Sequence, residues 1–280
     1  MVAAVPRFAR KQPLGAFSAA LLVVIVLTAA FADVVAKYPP TRNNVGERLS
    51  GPSANHWFGT DQFGRDVFSR VVHGGRISLA VGLGASAIAI FIATVIGLLS
   101  GYLGGSVDAV VQRFVDTAQA IPPLIMLIGI MIVLGPSVMN VIIALSVRGG
   151  LGLSRVIRGS VISVRAAPYI EAARSIGMSE LRIILAHVLP NIVPTIVVLI
   201  STSIGGYIVA EASLSFLGYG VPPPAPTWGG MMSADGRLYM LVYPGILVFP
   251  TVVLALVVYS MNMFGDALRD EVDPRLRGAR

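Results

Sequence analysis

The chain has 280 residues, of which 55% are hydrophobic and only 12% charged, with a net charge of +7. Soluble domains carry about 25% charged residues, so a chain this apolar lacks the polar surface to fold in water, and its solvent is lipid. It has no cysteine, which removes disulfides, thiolate metal sites and thiol catalysis, and neither of its lysines, Lys11 and Lys37, follows a glycine, so there is no GxxxxGK(S/T) phosphate loop to hydrolyse a nucleotide.

A transmembrane helix needs roughly 20 mostly apolar residues to cross about 30 Å of hydrocarbon. In chain order, a short segment (1–13) precedes a first span at 14–36. A loop at 37–76 leads to a second span at 77–103, and a third covers 114–134 with Pro122-Pro123 inside it. The fourth, 138–164, is interrupted by Arg148, Gly149 and Gly150, so its second half is expected to leave the hydrocarbon or to face the protein interior. The fifth and sixth run over 191–217 and 238–264, separated by a loop at 218–237, and a tail occupies 266–280. The expected fold class is therefore an all-α integral membrane protein with six transmembrane helices. Ala30-Phe31-Ala32 before Asp33 mimics a signal-peptide cleavage site, but the apolar run from 14 to 32 is longer than a signal h-region, which favours a retained anchor.

Six spans place both ends on one side. With the N-terminus inside, the inner segments hold 14 of the 21 Lys and Arg, Arg148 among them, and the outer segments 7. That bias predicts N-in, C-in, and explains the basic charge without nucleic-acid binding. The second span is rich in small residues and contains the pair Gly97-x-x-x-Gly101. Apolar helices gain nothing by leaving lipid for one another, so close approach through small residues is what holds such a bundle together.

The inner loop 165–190 carries the most information. Pro168 suits a first helical turn, Glu171 sits where the helix dipole favours an anion, and Gly177 suits a terminating position. Ser179 can cap a second short helix, with Pro190 leading into the fifth span. Ile170, Ala173 and Gly177 form a stripe of small bulk, expected to enter a groove on a partner. Glu171-Ala172-Ala173, Gly177 and Leu189-Pro190 together resemble the EAA loop of binding-protein-dependent ABC importer permeases. The resemblance implies a coupling helix that docks on an ATPase subunit through Pro168, Glu171, Ala172, Ala173, Arg174 and Gly177.

Two outer blocks narrow the resemblance. The run from His56 to Arg70, HWFGTDQFGRDVFSR, is similar to a stretch of the dipeptide/oligopeptide/nickel permeases, with Trp57 where proline is usual. The run from Glu211 to Gly218, followed by Pro222-Pro223-Pro224 and Trp228-Gly229, is similar to the same subfamily. It implies a type I importer permease fold and the C-type subunit of a bacterial inner membrane transporter. Such a subunit pairs with a homologous B-type permease, two ABC ATPases that hold ATP and Mg²⁺, and an extracytoplasmic solute-binding protein; cofactors on this chain itself are not expected. Short peptides are the common cargo, with nickel and glutathione carried by relatives. Trp57, Asp61, Arg65, Pro223 and Trp228 are then expected to meet the binding protein.

Asp61, Arg65 and Asp66 can also pair within an ordered turn, and 221–226 is too proline-rich for regular helix. Glu211, near the outer end of the fifth span, can pair with Arg65 or Arg70, and Glu211 and Asn262 are the expected pathway residues. His56, His73 and His187 share no metal-ligand spacing. A membrane-embedded enzyme would need clustered acids and bases within the spans, and an ion-coupled transporter would show internal repeats or charge at mid-depth; neither pattern stands out.

Overall fold

The structure, a computed structural model, describes residues 12–272. The expected N-terminal segment 1–13, with Arg7, Arg10 and Lys11, therefore lies almost wholly outside the described residues, as do Arg275, Arg277 and Arg280 of the expected tail.

Pro13, at a first turn where its missing N–H costs nothing, opens α1 (Pro13–Ala30), and a short α2 (Ala32–Val35) follows. An irregular loop runs to Asp66, which caps α3 (Val67–Leu103) by accepting the Ser69 backbone N–H at 2.8 Å. Gly104, at φ +69°, separates α3 from α4 (Gly105–Ala120), which is followed by α5 (Pro123–Leu134). Ser137 caps α6 (Val138–Arg165) through Asn140 N–H at 3.0 Å. Next come α7 (Pro168–Ser175), α8 (Glu180–Ile183), a π turn at Ile184–Val188 and α9 (Leu189–Phe216). The chain closes with α10 (Trp228–Met231), α11 (Ala234–Tyr239) and α12 (Gly245–Val272).

Among the described residues five helical stretches are long and apolar enough to cross a membrane: α1, α3, α6, Glu180–Phe216 and α12. The α4–α5 pair makes a sixth when taken as one broken span. The expected third span, 114–134, is thus not one helix but two, bent by 92°. Pro122-Pro123 is the cause. Two successive residues lack N–H donors, and Ile121 and Pro122, each preceding a proline, adopt ψ 127° and 138°.

Other boundaries shift as well. Residues 67–76 of the expected outer loop form the first turns of α3, because the Asp66 cap starts the helix there. The sixth span begins at Gly245 rather than at 238, since Tyr243-Pro244 breaks the apolar run, and it extends past 264 through good helix formers. The fourth span is unbroken through Arg148, and its second half buries Gly150, Leu151, Ser154, Ile157 and Val161. The π turn widens the helix just ahead of Pro190, where a regular turn would set the ring against the preceding carbonyl.

The longest seam joins α3 to α6. A Cβ on Gly97 would lie 2.7 Å from the Ile157 Cβ, one on Gly101 2.9 Å from the Arg158 carbonyl oxygen, and one on Gly150 2.7 Å from the Ile92 Cβ. The small residues are therefore at the interface, where they let two backbones approach. α9 packs on the same helix, with Gly82 beneath Ile208. Large apolar side chains such as Val24, Phe91 and Val133 point outward, as a lipid solvent or a partner helix allows.

Candidate functional site

The 165–190 loop folds as the expected hairpin. Pro168 opens α7, Glu171 lies in its first turn, and Gly177, at φ +81°, ends it. The ending is a Schellman motif: Gly177 N–H donates to the Arg174 carbonyl at 2.9 Å, and Met178 N–H to the Ala173 carbonyl at 3.1 Å. Open space surrounds the position where a Gly177 Cβ would be, so the backbone angle alone selects glycine. Ser179 stands at the start of α8 but its side chain makes no capping bond.

The stripe of small residues needs correcting. Ile170 and Ala173 are buried against the chain's own core, with Tyr102, Ile183, Val188 and Ile192, and do not face outward. The apolar residues that do face outward are Tyr169 and Ala172 of α7 and its C-cap Ile176, with Leu181 beside them; Ile176 is 79% exposed. Glu171 and Arg174 are exposed as well.

A residue the sequence reading missed fixes the hairpin to the bundle. Tyr102, in the last turn of α3, is buried, and its ring lies 5.9 Å from the Arg165 guanidinium and 5.7 Å from that of Arg174. Its hydroxyl donates to Glu180, to which Arg174 is also paired at 3.3 Å. The exposed Arg174–Glu180 pair is worth little alone; the buried ring between two arginines is what ties α7 and α8 to α3. An aromatic residue closing an otherwise small-residue span was the available signal.

At the other end of α3 the two outer blocks form a lid. Asp61 accepts Phe63 N–H and Arg65 N–H through Oδ1 at 2.8 and 3.0 Å and Arg65 Nε through Oδ2 at 2.6 Å, with Arg70 Nε 3.6 Å away. His56 Nδ1 lies 2.9 Å from the Asp66 carboxylate. Tyr243 ties the loop to the start of α12 by donating to the Phe58 carbonyl at 2.9 Å. In the second block, the Trp228 indole donates to the Val71 carbonyl at 2.9 Å and its backbone N–H to Ser78 Oγ at 3.2 Å. Residues 218–227 are irregular, as expected, and the Pro223–Pro224 peptide is cis.

Of the five residues expected to meet a binding protein, Trp57 and Pro223 are exposed. Asp61, Arg65 and Trp228 are buried, their polar groups consumed inside the lid, and offer no outward contact. Glu211 is likewise fully buried and lines no opening: it accepts hydroxyl donors from Ser215 at 2.7 Å and Ser78 at 3.2 Å, not Arg65 or Arg70, which turn to Asp61. Asn262 is exposed on α12, its Oδ1 beside Gly205 of α9. Arg148, counted with the inner segment, lies on α6 ten residues from its start, with Arg155, Arg158 and Arg165 further along the same helix. Among the described residues no three His, Asp or Glu side chains come together as a metal site would require.

A helical bundle crossing the bilayer several times, with a hairpin braced at one end and a lid at the other, is the architecture of a membrane permease. The family of binding-protein-dependent transport system inner membrane components matches residues 93–278, and the N-terminal transmembrane domain of oligopeptide transport permease C matches residues 7–52. The chain belongs to this family of ABC importer permeases, as multi-pass proteins of the bacterial inner membrane. It is 39% identical over 268 residues to the dipeptide transport system permease protein DppC of Alkalihalophilus pseudofirmus, covering 96% of this chain and 88% of that one. It is 40% identical over 270 residues to the glutathione transport system permease protein GsiD of Escherichia coli, covering 96% and 89%. The fold is shared with the MetNI methionine ABC transporter in an inward-facing conformation, at a TM-score of 0.54 and 20% identity over 70% of this chain and 94% of that one. An amino acid ABC transporter gives 0.54 and 17% over 75% and 95%.

Proposed function

We propose that this chain is one half of the pore of a peptide importer, driven by ATPase subunits that dock on the α7 hairpin. The observation that carries the reading is the hairpin's construction: an exposed face of Tyr169, Ala172 and Ile176 on a short helix fastened to α3 through Tyr102. A loose loop would absorb a partner's motion; a braced one passes it to α3, α6 and α9. The other half of the pore is a homologous B-type subunit, and a solute-binding protein docks on the lid, with Trp57 and Pro223 as contacts. The chain itself performs no catalysis; ATP and Mg²⁺ belong to the ATPase pair. Two relatives named for dipeptide and glutathione transport support a peptide-like cargo over nickel. Asn262 is a pathway residue in this scheme.

The test is to purify the tagged chain with its neighbouring subunits and to measure ATP-dependent dialanine uptake in proteoliposomes. Ala172→Glu, on the outward face, is expected to abolish uptake while the protein still inserts. Full uptake by that variant would refute docking through this face.

A further inference from the structure

Arg148 differs from the next two arginines that follow it on α6. Arg155 and Arg158 of that helix are each paired with an aspartate of α4, Asp116 and Asp108 respectively. Arg148, about two to three turns further along the helix, meets from α4 only the neutral Gln119, whose side-chain amide reaches its backbone carbonyl at 3.5 Å. No carboxylate pairs with Arg148 among the described residues, and its buried Nε has no hydrogen-bond partner. It lies ten residues into α6, or about 15 Å at 1.5 Å per residue, half the thickness of a hydrocarbon core of about 30 Å.

A second polar group arrives at the same depth. Tyr207, nine residues from the end of α9 and about 14 Å along it, brings its hydroxyl against α6 at the next residue: a Cβ on Gly149 would lie 2.0 Å from the Tyr207 Oη. That hydroxyl also has no hydrogen-bond partner among the described residues. Gln119, from α4, lies beside Gly152, where a Cβ would be 3.3 Å from its Nε2. Two neighbouring helices thus bring a phenol and an amide to the α6 backbone around Arg148, and among the described residues no carboxylate pairs with its guanidinium. A charge at this depth is retained only where something offsets its desolvation.

We propose that Arg148, with Tyr207 and Gln119 beside it, forms a carboxylate-binding site for the transported solute part-way across the membrane. Lipid phosphates lie at the interface, half a bilayer away. A guanidinium presents two parallel N–H donors to a carboxylate, which every unblocked peptide carries, and it repels a divalent metal ion. The inference rests on the importer reading above and specifies the chemistry of its cargo.

Because the chain has no cysteine, Arg148→Cys introduces a single thiol, provided the partner subunits are made cysteine-free. Dialanine uptake is measured in proteoliposomes holding the whole transporter, before and after reaction with 2-aminoethyl or 2-sulfonatoethyl methanethiosulfonate. The expected result is a loss of at least about tenfold on substitution. The cationic reagent then restores a third or more of the parent rate, and the anionic reagent restores none. Parent-level uptake by the variant would overturn the proposal, as would equal effects of the two reagents. Failure of the variant to co-purify with the B-type subunit would also overturn it, by assigning Arg148 to a carboxylate of that partner. Absence of dialanine uptake by the parent transporter would instead overturn the peptide reading, and with it the cargo named here.

Discussion

Gly177 shows how one backbone angle can account for a residue. Its φ of +81° with open space around the Cβ position means that any L side chain fits sterically but is strained. Gly177→Ala should cost about 1 kcal/mol of hairpin stability and Gly177→Asn less, because asparagine tolerates the left-handed region. Limited proteolysis of the 165–190 segment would rank the three. Asp66 holds both the start of α3 and His56; Asp66→Ala should destabilise by about 1–2 kcal/mol through the lost cap, read as a lower melting temperature in detergent.

Asp33, in the short α2 beyond the end of the first span helix, responds to pH in a defined sense. Hydrogen bonds from Arg76 first, and then from His73, hold its carboxyl below the ordinary aspartate value. A depressed folded-state value means the link stabilises above the ordinary value and is lost as pH falls through the folded one. The stability difference between the parent and Asp33→Asn, present near neutral pH, should therefore shrink below pH 3.8. Its exposure keeps the effect small.

Among elements, α3 is the spine. Its 37 residues span about 55 Å, so one rigid body touches the lid at one end and the hairpin at the other. Gly97→Leu, which drives a side chain into Ile157, should cost at least about 1–3 kcal/mol by overpacking, checked as lost protein in the membrane fraction. Tyr102→Phe keeps the ring and removes the hydroxyl bond to Glu180. ATP hydrolysis by the assembled complex should then continue while solute moved per ATP falls by about half or more; unchanged coupling would show that the ring alone is the brace.

The apolar runs, the small-residue face of α3 and the Pro168-to-Gly177 helix were legible because each is a local signal with one physical meaning. The 92° bend at Pro122-Pro123 was not, since prolines in a span either kink it mildly or break it, according to tertiary context. Which face of α7 looks outward was also hidden: Ile170 and Ala173 are small enough for a partner's groove and apolar enough for the chain's own core, and the core took them. In the outer blocks Asp61 and Arg65 pair inside an ordered turn, as their spacing allowed, and being buried there they do not also face outward; Glu211 is satisfied by nearby hydroxyls inside the fold.

For the whole molecule, the account requires the braced hairpin to lie in the cytosol against an ATPase, at the opposite end of α3 from the lid. The most direct measurement places one cysteine at the exposed Ile176 of this cysteine-free chain. The complete transporter, its partner subunits cysteine-free, is then treated in intact cells with a membrane-impermeant thiol reagent, and the same is done in inside-out vesicles stripped of the ATPase. The account predicts that the Ile176→Cys thiol is untouched in intact cells, labelled in stripped vesicles, and shielded again when the ATPase is added back. Labelling from outside intact cells, or reactivity indifferent to the ATPase, would contradict it.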